Sequence, residues 1–310
     1  FMKRRLGAAR LGLTREITAM PAQTFATGPN AKAQENNTLS YEGYTKVWGD
    51  EFDGDSLNRD DWNVETHEKG WVNSELQEYV DSEENIQVKD GKLVINPVKK
   101  VSSIESNDAA STKEVVSYTS GRVSTQNKQT FTYGRFECRA KVPKGQGYLP
   151  AFWLMANDEN VYGQWPRCGE IDCMEVMGQE TNKAYGTVHY GNPHAQSQGT
   201  YYTGENESDF SDDFHVFTCD WEPGKITWYV DGVKYHEEND WYSTTVGQGT
   251  LAYPAPFDQP FYIILNLAVG GSWVGNPNDE TSFENNPYEI DYVRVYQKDS
   301  YNEDVKRPVK

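Results

Sequence analysis

Hydrophobic and polar residues alternate in short runs along most of this chain, which is the pattern of strands with one buried face. The segment 136–142 shows it without interruption, because apolar and charged side chains take turns at every position. Side chains alternate between the two faces of a strand. One face is therefore predicted to enter the core with Phe136, Cys138, Ala140 and Val142, while the other carries Glu137, Arg139 and Lys141.

Runs of this kind follow one another from Tyr41 to Gln297, and turn residues (Gly, Asn, Asp and Pro) separate them. Stretches with the period of a helix are scarce. Many short strands with turn signals at near-regular spacing predict an all-β protein, built as a sandwich or a barrel. No repeat or linker divides this region, so residues 41–298 are predicted to form one domain.

The two ends of the chain differ from this domain. Residues 1–40 are basic and poor in aromatic side chains, and we expect a mostly irregular N-terminal extension. They lack the continuous apolar stretch of about 7–15 residues that a secretory signal needs, although we expect a secreted or cell-surface protein. Residues 299–310 show no strand pattern and are predicted to be a frayed tail.

Three carboxylates fall close together in the segment GEIDCMEVMG. On a regular strand Glu170 and Asp172 share one face, whereas Glu175 would point the other way, into the core. A buried, unpaired carboxylate is costly or takes up a proton. A β-bulge inserts one extra residue into a strand, which returns Glu175 to the face of the other two acids. The sequence therefore predicts a bulge at Cys173-Met174.

The spacing of these acids indicates hydrolysis of a glycosidic bond. With one position absorbed by the bulge, the Cα atoms of Glu170 and Glu175 lie about 13 Å apart. Their side chains then reach to within roughly 5 Å of each other, the gap of a retaining glycosidase. In such an enzyme one carboxylate attacks the anomeric carbon and the other carboxyl protonates the leaving oxygen. Asp172, between them, adds a like charge or shares a proton, which helps to keep the pKa of the acid high.

A solvated acidic strand is the alternative interpretation, because the whole chain is acidic. Residues 289–291 repeat Glu-Ile-Asp without a third acid, so this tripeptide alone predicts no chemistry. The third acid, together with the preceding Trp165-Pro166, favours the catalytic interpretation.

Composition narrows the choice of ligand. The net charge of −18 argues against nucleic acid, an anionic membrane surface, or a sulfated or uronic-acid polymer as partner. A neutral ligand is the easier partner. Aromatic residues make up 13% of the chain. Most of them are expected in a β-rich core, and some of their rings are expected to line a groove and pack on sugars, although composition does not distinguish the two. The chain has no run of 18 apolar residues, so no membrane-spanning helix is predicted.

The four cysteines, Cys138, Cys168, Cys173 and Cys219, lack the CxxC spacing of a zinc site. Buried thiols are the favoured interpretation of all four. A disulfide between Cys168 and Cys173 is the local alternative.

Segments along nearly all of 41–298 resemble glycoside hydrolase family 16, in the bulged form of its laminarinase-like β-1,3-glucanases. They occur in the family's order and include WGDEFDG, WVNSELQEY, DGKLVI, TSGRVSTQ, YGRFECRAKVPKGQGYLPAFWLM, WPRCGEIDCMEVMG, GTVHYG, NLAVGGSWVG and EIDYVRVYQ. The resemblance implies a concanavalin A-like β-jelly-roll sandwich of two antiparallel sheets, with a concave cleft for an extended glucan.

The resemblance also implies roles for single residues. Glu170 matches the nucleophile, Glu175 the general acid/base and Asp172 the residue that assists between them, with no cofactor for catalysis. Positions that match the polar or aromatic lining of the cleft are Asn73, Glu137, Arg139, Trp153, Trp165, His189, Asn266 and Trp273. Many family members also hold a structural calcium ion on the convex side, which here implies Glu51, the carbonyl of Gly91 and Asp291 as ligands.

The predicted function is that of a retaining endo-β-1,3-glucanase that acts as a monomer, with 1,3-1,4 mixed-linkage glucan as a further substrate. Two alternatives stay open. One is hydrolysis of another neutral polysaccharide, such as an agar-type galactan, and the other is a non-catalytic glucan-binding lectin. A lectin would have no reason to keep both Glu170 and Glu175, which favours the enzyme.

Overall fold

The computed structural model describes residues 41–105 and 111–310, so the predicted N-terminal extension, residues 1–40, lies outside the described residues. The described part of the chain contains strands and no helix, hence no helix that could cross a membrane. Its strands form two large sheets, A and B, and two small ones, C and D.

Sheet A contains β1 (Tyr44–Asp50), β4 (Ile86–Lys89), β5 (Lys92–Ile95), β10 (Gly134–Lys141), β15 (His215–Glu222), β16 (Lys225–Val230), β17 (Val233–Glu238) and β21 (Tyr288–Lys298). Sheet B contains β2 (Asn63–Val64), β8 (Arg122–Ser124), β9 (Thr130–Phe131), β11 (Tyr148–Ala156), β12 (Glu170–Glu175), β13 (Lys183–Tyr190), β14 (Ala195–Tyr202) and β20 (Phe261–Val269). Sheet C contains β3 (Gln77–Tyr79), β6 (Val98–Glu105) and β7 (Thr112–Ser120), and sheet D contains β18 (Thr244–Thr245) and β19 (Gly249–Thr250).

Both large sheets are antiparallel, and neighbouring strands are often distant in sequence. The order in sheet A is β17-β16-β15-β10-β21-β5-β4, with β1 beside β21, and in sheet B it is β14-β13-β12-β11-β20-β8-β2, with β9 beside β20. An antiparallel sheet can bury one face and leave the other outside. The predicted all-β sandwich of two antiparallel sheets is confirmed.

The core lies between sheets A and B and consists of the inward side chains of both. From β10 it receives Phe136, Cys138 and Ala140, all fully buried, as the alternation predicted. From β11 it receives Phe152 and Leu154 in the same cluster. The alternating pattern of the sequence therefore identifies the core face of these strands correctly.

The opposite face of sheet A is polar but closed to solvent. Three arginines there form ion pairs with carboxylates: Arg135 Nε with Asp220 Oδ1 at 2.7 Å, Arg139 Nη1 with Asp291 Oδ2 at 2.8 Å, and Arg294 Nε with Glu51 Oε1 at 2.7 Å. Buried charges are tolerated when they are paired and hydrogen-bonded. Glu137 and Arg139, two of the three charged residues of the β10 pattern, are thus buried within the protein.

The predicted bulge is present in β12. Cys173-Met174 lie between Asp172 and Glu175, whereas β13 has only Gly186 between the partners of these two acids. The backbone carbonyl of Asp172 accepts a hydrogen bond of 2.8 Å from the indole Nε1 of Trp228 in β16. A side chain of sheet A therefore reaches across the core and holds the backbone of sheet B at the bulge.

Residues 299–310 contain no strand, as expected, but they pack on the domain. The Tyr301 ring lies 5.3 Å from the ring of Tyr133, centroid to centroid. Arg307 Nε donates to Asp240 Oδ1 at 2.6 Å. The prediction of a frayed tail is wrong, because these contacts join partners far apart in the sequence.

All four cysteines are free thiols and are buried. The favoured interpretation is confirmed, and the Cys168–Cys173 disulfide is not formed. Burial raises the pKa of the Cys173 thiol far above its ordinary value, so this residue acts as a small apolar side chain of the core.

Gly186 is the tightest point beside the bulge, and Gly186→Ala is expected to destabilise the protein by roughly 1–3 kcal/mol through overpacking. A Cβ atom there would clash with the Trp228 ring and lie 2.5 Å from the Tyr235 hydroxyl. Chemical denaturation followed by tryptophan fluorescence measures the change.

Gly54→Ala is the matched control, because its Cβ would meet only the Ser56 backbone at 3.5 Å or more. Its free energy of unfolding is expected to stay within about 0.5 kcal/mol of wild type. Equal stability of the two variants would contradict the close packing at the bulge.

Candidate active site

The three acids of β12 lie on the outer face of sheet B. Ile171, Cys173 and Met174 point into the core with at most 1% of their surface exposed. Because two successive residues of the bulge face inward, Glu175 returns to the side of Glu170. The arrangement predicted from the sequence is therefore the one that the structure adopts.

His189 and Trp165 contact the first two acids. Across the ladder, Glu170 is paired with His189 of β13, whose Nε2 lies 3.1 Å from Asp172 Oδ2 and 3.9 Å from Glu170 Oε1. Trp165 Nε1 donates a hydrogen bond of 2.6 Å to Glu170 Oε2. The structure thus places Trp165 and His189, both predicted as site residues, beside the predicted nucleophile Glu170.

The pKa values of all three acids are raised. Burial, and then the negative charge of Glu170, raise the pKa of Glu175 to about 8. Burial, followed by the charge of Asp172, raises the pKa of Glu170, which His189 and the hydrogen bond from Trp165 partly oppose. Burial and the charge of Glu175 raise the pKa of Asp172. Like charges this close cannot all be ionised at neutral pH.

The hydrogen bonds indicate which of the first two acids holds a proton. The carboxyl groups of Glu170 and Asp172 hydrogen-bond each other, so one proton serves both. The indole N–H of Trp165 can only donate, which favours an ionised Glu170. The side chain of Glu170 is 17% exposed and that of Asp172 only 2%, so the charge is better solvated on Glu170. The hydrogen bond between the two carboxyl groups raises the pKa of Glu170 and lowers that of Asp172, but solvation and the bond from Trp165 favour the charge on Glu170.

This arrangement contains an ionised carboxylate and a protonated carboxylic acid on one face of one strand. Glu170 can act as a nucleophile, and Glu175 can act as an acid at neutral pH because its pKa is about 8. Pairs of carboxyl groups with separated pKa values are the acid and nucleophile of retaining glycosidases.

Trp153 and Asn266 extend the site over the neighbouring strands. Trp153 of β11 is paired with Asp172 and points outward, away from the core. Its Nε1 donates to Asn266 Oδ1 at 2.7 Å, and Asn266 Nδ2 donates to the Tyr79 hydroxyl at 3.0 Å. Two of the predicted site residues thus orient each other.

Asn73 and Trp273 lie on loops that meet beside the Glu175 end of β12. The backbone carbonyl of Asn73 accepts from Ser272 N at 2.8 Å, next to Trp273. The Trp273 ring is 45% exposed and lies edge-on to Tyr185, 5.2 Å between centroids. Tyr185 is the ladder partner of Glu175. Trp273 is therefore an exposed ring near the predicted acid, as Trp165 is near the predicted nucleophile.

Two predicted site residues lie elsewhere. Glu137 and Arg139 belong to β10 of sheet A, on the far side of the core from the acids. Glu137 accepts a hydrogen bond from the Tyr41 hydroxyl, and Arg139 is paired with Asp291. The prediction that they line the cleft is wrong, because alternation identifies an outward face without saying which sheet carries it.

Four residues near the site were not predicted from the sequence. The Trp71 ring is 44% exposed and stacks on His67 at 3.4 Å, and the Arg122 guanidinium lies 5.1 Å from the Trp71 ring and 5.0 Å from the Trp153 ring. His194 Nε2 lies 2.9 Å from His189 Nδ1. Trp71 and Arg122 lie in segments that resemble the family, so the resemblance could have identified them as site residues. His67 and His194 lie in loops, where no periodicity applies.

The three residues predicted to hold calcium converge at one edge of β21, far from the acids. Asp50 pairs with Val293, and Leu93 pairs with Ile290. Glu51 follows Asp50 and Gly91 precedes Leu93 in the sequence, so both lie beside the part of β21 that contains Asp291. Both carboxylates already carry ion pairs with arginine. A calcium ion at this place would therefore share these carboxylates with the arginine side chains or replace them.

Comparisons with known proteins show which family this chain belongs to. A relative named glucan endo-1,3-beta-glucosidase, from Cryptopygus antarcticus, is 40% identical over 80% of this chain and 90% of that protein. A glucan endo-1,3-beta-glucosidase A1 of Niallia circulans is 38% identical over 89% of this chain, which spans 42% of that longer protein. The solved structure of an endo-beta-1,3-glucanase from Pyrococcus furiosus superposes with a TM-score of 0.68 at 39% identity, over 83% of this chain and 95% of that one. The model of the glycosyl hydrolases family 16 matches residues 73–294, and the chain belongs to this family.

Proposed function

We propose that this protein is a retaining endo-β-1,3-glucanase. The observation that carries the proposal is the bulge of β12, which puts Glu170, Asp172 and Glu175 on one face and leaves Glu175 with a pKa of about 8. The names of the two curated relatives, both glucan endo-1,3-beta-glucosidases, support β-1,3-glucan as the substrate.

In the first step, Glu175 gives its proton to the glycosidic oxygen while the carboxylate of Glu170 attacks the anomeric carbon. The bond to the leaving sugar breaks, and an ester forms between Glu170 and the remaining sugar. Trp165 orients Glu170 for attack by donating a hydrogen bond of 2.6 Å to Oε2, which favours the ionised form of this carboxyl group. The inverted configuration at the anomeric carbon is restored in the second step.

In the second step, water attacks the anomeric carbon and Glu175 accepts its proton. The change of role has an electrostatic cause. The charge of Glu170 is one of the two factors that raise the pKa of Glu175. Esterification removes that charge, so the pKa of Glu175 falls and the group can act as a base. Hydrolysis of the ester restores the charge, and the acid is reprotonated.

Three exposed tryptophans supply surfaces for the sugar rings of the polymer. Trp165 lies beside Glu170, Trp273 lies near the end of β12 at Glu175, and Trp71 projects with 44% of its surface exposed. Large exposed apolar side chains that cluster on one face mark a binding surface. A row of rings on both sides of the acids supports cleavage inside a long chain.

Glu170→Gln and Glu175→Gln are each expected to abolish hydrolysis of laminarin while binding of laminarin stays close to wild type. Loss of the acid alone is worth about 10²–10⁴-fold in rate. Release of reducing sugar and calorimetric titration with laminari-oligosaccharides measure the two quantities. Wild-type assays on laminarin, lichenan and agarose decide between the β-1,3, mixed-linkage and galactan alternatives.

Azide separates the two roles. With an activated aryl glycoside, Glu175→Ala is expected to yield a β-glycosyl azide, because azide takes the place of water in the second step. Glu170→Ala should yield the α-anomer, because azide enters where the carboxylate was. The same anomer from both variants, or full activity in either, would exclude the assignment.

Activity should also follow the protonation of Glu175. A carboxylic acid with a pKa of about 8 is protonated below that pH and loses its proton as the pH rises through it. The value of kcat/KM on laminarin is therefore expected to fall tenfold per pH unit above pH 8. A decline that begins below pH 6 would show that another group controls the basic limb.

A structural calcium ion at Glu51, Gly91 and Asp291 stays a prediction from the family resemblance. If the site binds calcium, saturating Ca²⁺ stabilises the chelator-treated protein by about 3 kcal/mol, since ligand at 100 times its Kd contributes that much. The expected result is a higher melting temperature with Ca²⁺ in wild type and no change in Asp291→Ala. Equal melting temperatures of wild type with Ca²⁺ and with EDTA would refute the ion.

A further inference from the structure

Glu170, Asp172 and His189 form a cluster of side chains that can all bind a metal ion. One ligating atom from each of the three side chains lies within 4.8 Å of the others. His189 Nε2 is 3.1 Å from Asp172 Oδ2 and 3.9 Å from Glu170 Oε1. Two carboxylates and one imidazole are a donor set suited to a divalent transition metal such as zinc.

The second observation is a buried oxygen that forms no hydrogen bond within the described part of the chain. Asp172 Oδ2 is buried and has no hydrogen-bond partner among the described residues, although His189 Nε2 lies 3.1 Å away. The Asp172 side chain is only 2% exposed. A buried acceptor without a donor is costly. A cation bound by Asp172 and His189 together would remove that cost.

His194 completes the arrangement. Its Nε2 lies 2.9 Å from Nδ1 of His189, on the side of the imidazole ring away from the acids. With its proton on Nδ1, His189 donates to His194 and turns the lone pair of Nε2 toward Asp172. Histidines that bind metals hold their orientation by such a hydrogen bond from the other ring nitrogen.

We propose that Glu170, Asp172 and His189 bind one zinc-like divalent ion, with His194 as the positioning residue, and that the ion reversibly inhibits the enzyme. Zinc bonds to nitrogen and oxygen measure about 2.0–2.2 Å, so neighbouring ligand atoms of a tetrahedral ion lie roughly 3.3 Å apart. The two distances to His189 Nε2, 3.1 and 3.9 Å, bracket this value, and the ligand atoms of Glu170 and Asp172 lie within 4.8 Å of each other. Water would take the fourth position.

Inhibition follows from the identity of the ligands. An ion on Glu170 occupies the oxygen that attacks the anomeric carbon, so glucan and metal compete for one site. Binding of the metal does not depend on the proposed glucanase activity, whereas inhibition does. The two are therefore measured separately.

The first experiment is calorimetric titration of the chelator-treated full-length protein with Zn²⁺, in the presence of Ca²⁺ to fill any calcium site. One high-affinity Zn²⁺ per chain is expected in wild type, with affinity at least tenfold lower in His189→Gln and about 10–100-fold lower in His194→Gln. His236→Gln is the matched control, because His236 lies on β17 of sheet A, and its Zn²⁺ affinity should equal wild type.

Visible absorption of bound Co²⁺ gives a second readout in case a variant binds zinc elsewhere. Wild type and His236→Gln should show the bands of a four- or five-coordinate Co²⁺ site, and His189→Gln should lack them. Far-UV circular dichroism establishes that each variant is folded. Equal Zn²⁺ affinity of folded His189→Gln and wild type, or no binding by wild type at 1 mM (about the upper limit of a useful affinity), overturns the proposal.

Kinetics then test the inhibition. Zn²⁺ should raise the apparent KM for laminarin without changing kcat, and EDTA should restore the original value. Binding of one Zn²⁺ without any loss of hydrolysis would overturn the inhibitory part. A wild-type protein that binds Zn²⁺ as expected but hydrolyses no glucan after chelation would support the metal site and refute the proposed function.

Discussion

A hydrogen bond across the core joins the two large sheets at the strand that carries the three acids. The bulge in β12 alters the pairing of the strand near Asp172, and the indole of Trp228 from sheet A donates to the Asp172 carbonyl at 2.8 Å. Gly186 leaves room for that indole, because any larger residue would overlap it. The direction of Glu175 therefore depends on packing between the sheets as well as on the strand that carries it.

Burial of the acids is what makes them different from the many other carboxylates of this chain. Charged side chains on a solvated strand keep ordinary pKa values, whereas Glu175 reaches about 8 because burial and the charge of Glu170 act together. At Glu170 the effect of burial is partly opposed by His189 and by the hydrogen bond that Trp165 donates to its carboxylate. The pKa values of Glu170 and Glu175 thus depend on different neighbours, although the two groups lie on one strand.

The same neighbours supply the ligands of the proposed metal ion, which would compete with substrate. A site that stabilises an ionised carboxylate beside a second carboxyl and an imidazole also supplies the ligands that a divalent ion prefers. His194 orients His189 whether the imidazole donates to Asp172 or binds a cation. The proposed catalytic groups and the ligands of the proposed metal ion are therefore overlapping sets of side chains.

The sequence by itself determined the strands, their core faces, the bulge at Cys173-Met174 and the three acids, because alternation and its single interruption are local properties of the chain. Resemblance to family 16 located Trp153, Trp165, His189, Asn266 and Trp273 around them. Only the tertiary structure decided which sheet each outward face belongs to. Glu137 and Arg139 have the alternation of site residues, yet they lie on sheet A, since strand order depends on pairings between residues far apart in sequence. The contacts of Arg122 with Trp153 and of His194 with His189 could not be predicted from the sequence either, because each contact joins segments that meet only after folding.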